Sequence, residues 1–472
     1  MKIYRKFRNS CLDLSPLGLV TGPEESDSVY TPAGARMVAW TLDQKVHFCQ
    51  VEGFGGMVFA VDPSATPGDC VRPIASSLEE LIGLLAVCKD TAVILGAHTW
   101  SRSLFQQRVD SIVITDHKTR SVMRAIENTY HPPKITDPYG YITNLQKNFD
   151  YTSLPLRPDY FEWCPIRPGM VKWDVGFGTG FADYCEKNRV GSEITVGRSF
   201  LWHGERWTIP SVYLCDNGIV VDSYKEVSGE DMARFNMVWG SRNPEDLSAE
   251  DQMRRMLDDP LGIEVAGKLS VNGYDTPCKQ SNTLRWDPAL ENSWNARRTL
   301  EHYGLDRNKG YLLRRDHFLR KGKNPPIQTM QLGLEALPVA VPGIRFVAPK
   351  PDESMTFIHP VTNQEHTLTV KSSTREALDP NFLSNHPCCY TRLTFTIDPI
   401  IEKDMIRVVD CDPGDPFQST PEAPAAVILT DKVPSAGHFA ISSLRHIPAE
   451  SITWRMIFRQ KLRTDITISV LP

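Results

Sequence analysis

The sequence predicts an α+β multidomain fold: an α/β N-terminal unit, a central mixed strand and helix region, and a C-terminal β-sandwich. Three observations carry that reading. A chain of 472 residues is too long for one hydrophobic core. Its texture changes twice, giving an α/β unit over 1–130, hairpins followed by polar helices over 131–334, and short strands between Pro, Gly, Asn and Asp clusters over 335–472. The apolar and charged fractions, 41% and 23%, belong to folded protein rather than disorder.

The N-terminal unit opens with apolar runs that suit strands: GARMVAW, VHFCQV and GGMVFAVDP. The GFGG at Gly53–Gly56 reads as a hairpin turn or bulge between two of them. A helix follows in SSLEELIGLLAVCKD. Ser77 caps it, Glu80 stands three residues on, and Leu81, Leu84, Leu85 and Cys88 share one face. TAVILGAHTWSRSLFQQRV reads as a second helix, or as a short strand that turns into one. Residues 126–160, rich in Pro, Tyr and Asn, read as a connector or a docked irregular arm.

The segment GFGGMVFAVDPSATPGDCVRPIASSLEELIGLLAVCKD resembles the later part of the SMI1/KNR4 (SUKH) family, over residues 53–90. Members of that family run strand, strand, then a helix of the pattern seen here at Ile74-Ala75-Ser76-Ser77-Leu78-Glu79-Glu80-Leu81. The resemblance implies a binding domain of the kind found in immunity proteins and regulatory scaffolds. It carries over no catalytic residue.

In the central region, GSEITVGRSFLWHGERWTIP predicts a hairpin turning at His203-Gly204. SVYLCDNGIVVDSYKEV predicts another at Asp216-Asn217-Gly218, with glycine supplying a positive φ. Residues 228–320 then read as helical and polar. Ser248 and Asp251 cap SAEDQMRRMLDD, NSWNARRTLEHYG ends at the C′ glycine Gly304, and GYLLRRDHFLRKGKNPP stops at Pro325-Pro326. At the C-terminus, SITWRMIFRQKLRTDITISVLP reads as one or two closing strands.

Asp174, Gly176, Gly178 and Gly180 in VKWDVGFGTGFADYC look like the nucleotide loop of S-adenosylmethionine-dependent methyltransferases. The next strand, EITVGRSF, ends without the acidic residue such a fold needs, and hairpins follow where βαβ units are required. A glycine loop beside an antiparallel sheet fits those neighbours better. Carboxylate pairs, Asp258-Asp259 and Asp410, Asp412 and Asp415 among them, could serve a two-carboxylate hydrolase, but the chain shows no HExxH, GxSxG or P-loop. Trp173, Trp202, Trp207 and Tyr213 fall on neighbouring strands. They pack across the sheet, or form a platform for carbohydrate or peptide if exposed.

FIHPVTNQEHTLTV carries the remaining candidate. A turn at Thr362-Asn363 sets His359 opposite His366, Phe357 opposite Leu368 and Met355 opposite Val370. Two imidazoles then end an apolar face. His386, Cys388, Cys389, Asp410 and Cys411 are the chemically suitable partners for a metal. A simpler account has each ring bonded to backbone at the rim of a core.

The formal charge of −5 gives no basic footprint for nucleic acid or an anionic membrane. Eleven cysteines without CxxC suit reduced thiols, and no signal-peptide pattern or membrane span is visible, so the expected location is cytoplasmic. The expected function is a non-catalytic binding or interaction protein with a protein partner, no cofactor and no catalytic residue. Its candidate ligand contacts are His359, His366, Trp202 and Trp207. The alternatives are a glycan or peptide hydrolase using carboxylates or histidine and metal at an interdomain cleft, and a methyltransferase-like domain around Asp174–Gly180.

Overall fold

The computed structural model describes residues 2–10, 12–66, 68–164, 166–170, 173–181, 189–320, 326–377, 389–411, 437–447, 449 and 451–471. Among them are ten α-helices and five antiparallel sheets, a mixed α+β composition. No helix among the described residues is long and apolar enough to cross a membrane. The chain forms two compact units. One comprises Met1–Phe200, Arg206–Met232 and Lys279–Lys323; the other comprises Leu201–Glu205, Ala233–Cys278 and Asn324–Pro472.

In the first unit a five-stranded meander runs in chain order through Leu19–Val20, Ala35–Thr41, His47–Val51, Val58–Val61 and Val71–Ala75. Gly53 and Gly55, both at positive φ, turn the chain between the third and fourth strands. Alternation along each strand feeds two cores. Val38, Phe48, Ala60 and Ile74 join the helices in one. Met37, Cys49, Phe59 and Val71 meet Leu154, Tyr160 and Cys164 in the other.

The helix Leu78–Cys88 starts where the capping residues place it, with Ser77 Oγ accepting from the Glu80 N–H at 3.1 Å. Glu80 does not reach back to close a capping box; its carboxylate accepts the Tyr141 hydroxyl at 2.7 Å. The following run is helical from its first residue, Thr91–Gly96, and resumes as Arg102–Ser111. Between the two, the Trp100 ring lies against Gly96, where a Cβ would meet it at 2.5 Å.

The supposed connector at 126–160 is largely helical. His117–Tyr130 and Pro138–Asn148 are helices capped by Asp116 and Asp137, with Pro138 at the start of the second. Pro132 and Pro133 fall between them, so the prolines punctuate two helices and do not dissolve one.

The second sheet of this unit has the spatial order Cys278–Trp286, Gly310–Leu319, Gly218–Val227, Glu205–Cys215, Ser192–Trp202. The hairpin at His203-Gly204 forms as its residues predict, with φ of 51° and 79°. The second hairpin also forms, but Gly218 is not at positive φ. Glycine is needed there for close approach, because a Cβ would lie 2.3 Å from the Phe177 ring and 2.4 Å from the Phe318 carbonyl oxygen.

A larger correction concerns 310–319. GYLLRRDHFL is not helical: it is a strand buried at nearly every position, paired antiparallel with Gly218–Val227 so that Arg315 faces Asp222 and His317 faces Val220. Cys278–Trp286 and Val265–Val271, also inside the stretch read as helical, are strands too. Gly229–Trp239, Ala249–Asp258 and Trp294–Tyr303 keep the expected helical form, with Ser248 and Ser293 capping the latter two and Gly304 in the left-handed conformation after the last.

The second unit is built from three sheets. Tyr274–Thr276, Val265–Val271, Met330–Ala336 and Ile466–Leu471 form one. Val339–Val347, Thr453–Gln460 and Ile406–Asp410 form another. Ser354–Ile358, Glu365–Ala377, Cys389–Asp398 and His438–Ile441 form the third. The last two contribute to one apolar cluster around Phe346, Phe357, Leu368, Leu393, Trp454 and Phe458.

Gly218→Ala is expected to lower stability by about 2–3 kcal/mol, because backbone and a packed ring must both move. Urea unfolding of the two proteins measures it.

Candidate functional site

A connected polar arrangement stands on the strand that reads as helix. Arg315 and Asp222, opposite each other on adjacent strands, form a bidentate pair: Nε donates to Oδ1 and Nη2 to Oδ2, each at 2.8 Å. Their side chains are 1% and 2% exposed, so the pair sits in a low-dielectric interior where one partner without the other would be costly. Burial works against the Arg315 charge, but Asp222 more than offsets it and the guanidinium is held firmly protonated.

From this pair a hydrogen-bonded chain climbs to the surface. The Tyr303 hydroxyl donates to Asp222 Oδ2 at 2.6 Å, and the Tyr213 and Tyr303 hydroxyls lie 2.9 Å apart. Trp173 Nε1 donates to the Tyr213 oxygen at 2.8 Å, and the Tyr213 hydroxyl donates to Glu193 Oε1 at 3.1 Å. Burial, then the Asp222 carboxylate, pushes both phenols well above the ordinary tyrosine range, so they remain hydrogen-bond donors at any physiological pH.

Glu193 ends the chain at the rim. It also takes the Ser211 hydroxyl and lies 3.2 Å from His302 Nε2. Burial alone would raise its carboxyl; Ser211 and His302 outweigh it and hold the group below the usual carboxylate range. The Trp173 ring stacks on His302, with centroids 4.2 Å apart and planes 11° apart. Arg298 and Arg315 approach the same indole at 5.4 and 5.2 Å. The rim therefore offers a fixed carboxylate, an imidazole and an indole edge on a preorganised base.

The arrangement is not a nucleophilic triad. In such a triad the histidine takes the serine proton and a carboxylate orients the histidine. Here the carboxylate is central, and Ser211 donates to it directly.

Next along the buried strand, His317 Nδ1 accepts the Gly178 N–H at 3.1 Å, and Arg315 Nη1 donates to the Gly180 carbonyl at 3.1 Å. The glycine loop is thus fastened to an antiparallel sheet by its own backbone. Gly178, at φ 85°, presents its N–H to an imidazole. Burial, then the Arg315 charge, lowers the His317 pKa to about 4. Arg314 and Asp316, two residues apart on one face of the strand, form a second bidentate pair at 2.7 and 2.8 Å.

A separate cluster lies against the first sheet. Asp69 Oδ1 is 3.0 Å from His98 Nε2, and Asp69 Oδ2 takes Arg297 and, at 3.1 Å, the Thr66 hydroxyl. Arg72 donates to the Asp69 carbonyl, and His98 Nδ1 lies 3.0 Å from Gln146 Oε1. Burial, then Arg297 and Arg72, lowers the His98 pKa to about 4. These groups tie the first sheet to the helix Trp294–Tyr303.

The four candidate ligand contacts, Trp202, Trp207, His359 and His366, are all buried. Trp207 is fully enclosed, and Trp202 is 3% exposed with its indole N–H donated to the Thr464 carbonyl at 2.8 Å. With Tyr213 buried as well, the three form no exposed platform. His203, next to Trp202, accepts the Thr464 N–H at 2.8 Å and lines an open depression of about 430 Å³ with residues 461–465.

His359 and His366 share a face, but in a different register. Phe357 pairs with His366 and Met355 with Leu368, two residues from the expected pairing. A shift of two preserves the face, so both rings stay on the core side, their centroids 6.1 Å apart. His359 Nδ1 accepts the N–H groups of Val361 and Thr362 at 3.2 Å, and His366 Nδ1 donates to the Pro399 carbonyl at 2.8 Å. Burial, then His366, lowers the His359 pKa.

No group of three His, Cys, Asp or Glu among the described residues is placed to hold a metal. Asp410 instead accepts from Ser443 and pairs with Arg445. His386, Cys388, Asp412 and Asp415 lie outside the described residues.

Sequence reasoning missed Asp222, Arg315, Tyr303, Glu193 and His302. One signal was present: RRDH enclosed by YLL and FL, and a single acid in IVVDSY, are charges inside strand-like apolar runs. Such charges are buried only when paired. Comparison with known proteins adds no relative: no family model, no curated protein and no solved structure matches the chain.

His317 is neutral in the fold down to about pH 4, whereas an unfolded histidine takes its proton near 6.5. Between those values the unfolded state binds more protons, so stability falls as pH drops from about 6.5 to about 4, by up to roughly 3 kcal/mol from this group. His317→Gln, which keeps an acceptor for Gly178, should flatten that slope in urea unfolding at a series of pH values.

Proposed function

We propose that this chain is a non-catalytic binding protein that takes an extended segment of a protein partner along the strand Ser192–Trp202. One observation carries the reading. This 11-residue strand is the edge of its sheet among the described residues, and it is exposed at Ser192, Glu193, Thr195 and Gly197–Ser199. An edge of that kind presents backbone N–H and C=O groups on which an extended peptide adds as a further strand.

The half-buried Ile194, Val196 and Phe200 supply apolar contacts at alternate positions. At the start of the edge, Glu193 is held by Ser211, Tyr213 and His302, ready to meet a donor on the incoming segment. Preorganisation of this kind lowers the entropic cost of association. The resemblance of residues 53–90 to SUKH domains, a C-terminal sandwich formed by the two sheets that share a core, and a cytoplasmic location belong to the same proposal. The hydrolase reading has less support, because the Ser211 hydroxyl donates to Glu193, whose lowered pKa makes it a poor base for activating a nucleophile.

Short random peptides selected by display on the full chain, followed by hydrogen exchange, test the reading. Selected peptides should slow exchange of the 192–202 amides by about tenfold or more, and Glu193→Lys should weaken them. Peptides that protect other segments and leave 192–202 unchanged would contradict it, as would substrate turnover lost in Glu193→Gln.

A further inference from the structure

Three arginines of the second unit converge on one carboxylate. Glu250, in the first turn of the helix Ala249–Asp258, receives Arg254 Nη2 on Oε1 at 2.6 Å. Its Oε2 lies 3.1 Å from Arg345 Nη2 and 3.4 Å from Arg455 Nη2. Guanidinium groups stay protonated in proteins. The group therefore carries three positive charges against one negative. The only other acid in that first helical turn, Asp251, is engaged with the capping Ser248.

The sheet makes the crowding worse where it could have relieved it. Arg345 on Val339–Val347 stands directly opposite Arg455 on Thr453–Gln460. Like charges in that position repel. The placement results from a bulge: Pro342 pairs with Ile457, but Arg345, three residues on, pairs with Arg455 only two residues back along the partner strand. The extra residue turns Arg345 onto the face of Arg455. Gly343 permits it, since a Cβ there would strike the Phe458 ring at 2.5 Å. Arg407, exposed and paired with Ile457, lies on the same face two positions along.

A second, independent observation points to a ligand. Arg455 is 3% exposed, yet its Nε is buried without a hydrogen-bond partner, and its contact to Glu250 is long. The other two arginines are open to solvent, with side chains 59% and 40% exposed. The cluster thus has one buried, undersatisfied guanidinium and two exposed guanidiniums around the same carboxylate. The N-terminus of Ala249–Asp258 adds its own partial positive charge.

We propose that Arg254, Arg345 and Arg455 bind a phosphoryl group, with Glu250 as the internal carboxylate that holds the guanidiniums in place. A phosphomonoester or phosphate dianion neutralises the two uncompensated charges. Its oxygens accept the unused N–H groups of Arg455 and Arg345 in the forked geometry that guanidinium and phosphate share. The same chemistry is offered by free phosphate, a nucleoside monophosphate and a phosphorylated side chain.

Calorimetric titration of the full chain with inorganic phosphate, a nucleoside monophosphate and a phosphoserine peptide, each at ionic strength matched with chloride, tests the site and identifies the source by its tightest arm. Phosphate should bind the wild type, and Arg345→Gln and Arg254→Gln, both at exposed positions, should each weaken binding roughly tenfold. The site is overturned if none of the three compounds binds beyond chloride, or if both arginine variants bind as the wild type does.

Discussion

The first unit depends on one buried ion pair. Asp222 and Arg315 face each other in the middle of a sheet, each using both ends of its charged group on the other. Removing water from two charges is unfavourable, and only close, doubly hydrogen-bonded geometry recovers that cost. The pair therefore fixes the register of Gly218–Val227 against Gly310–Leu319, since a slip would bury each charge alone. It also leaves a lone pair on Asp222 for Tyr303 and a guanidinium N–H for the Gly180 carbonyl. The tyrosine chain, the position of Trp173 and the glycine loop all take their places from it.

That dependence explains what was legible in the sequence. Features set by neighbours along the chain could be read: the Ser77 and Ser248 caps, the Gly304 terminus, the His203-Gly204 turn. Each needs only a few residues and a local conformational preference. GYLLRRDHFL could not be read so simply. Its polar residues look solvent-facing, and solvated charges with leucines suit a helix. They are buried because partners more than 90 residues away, or two residues along the strand, satisfy them. Tertiary pairing overrides propensity in such a segment.

The candidate site followed the same rule. His359 and His366 were found to share a face because alternation along strands is local, and even a two-residue change of register left it intact. Their hydrogen-bond partners, Pro399 and the Val361–Thr362 backbone, could not be inferred from that pattern. Glu193 and His302 are 109 residues apart in sequence, and nothing in either segment announces the other. Trp202 and Trp207 stand out in the sequence as aromatics on strands, and burial gives them to packing. Paired, enclosed groups hold the fold, while among the described residues Ser192–Trp202 is the outer strand of its sheet and the Arg455 Nε has no hydrogen-bond partner.

A double-mutant cycle on Asp222 and Arg315, read by urea unfolding, tests this account most directly. Asp222→Asn and Arg315→Met should each cost about 3–5 kcal/mol, and the double variant should cost less than the sum by about 2 kcal/mol or more. Single costs below about 1 kcal/mol that simply add would show that the strands hold their register without the pair, and would contradict the account.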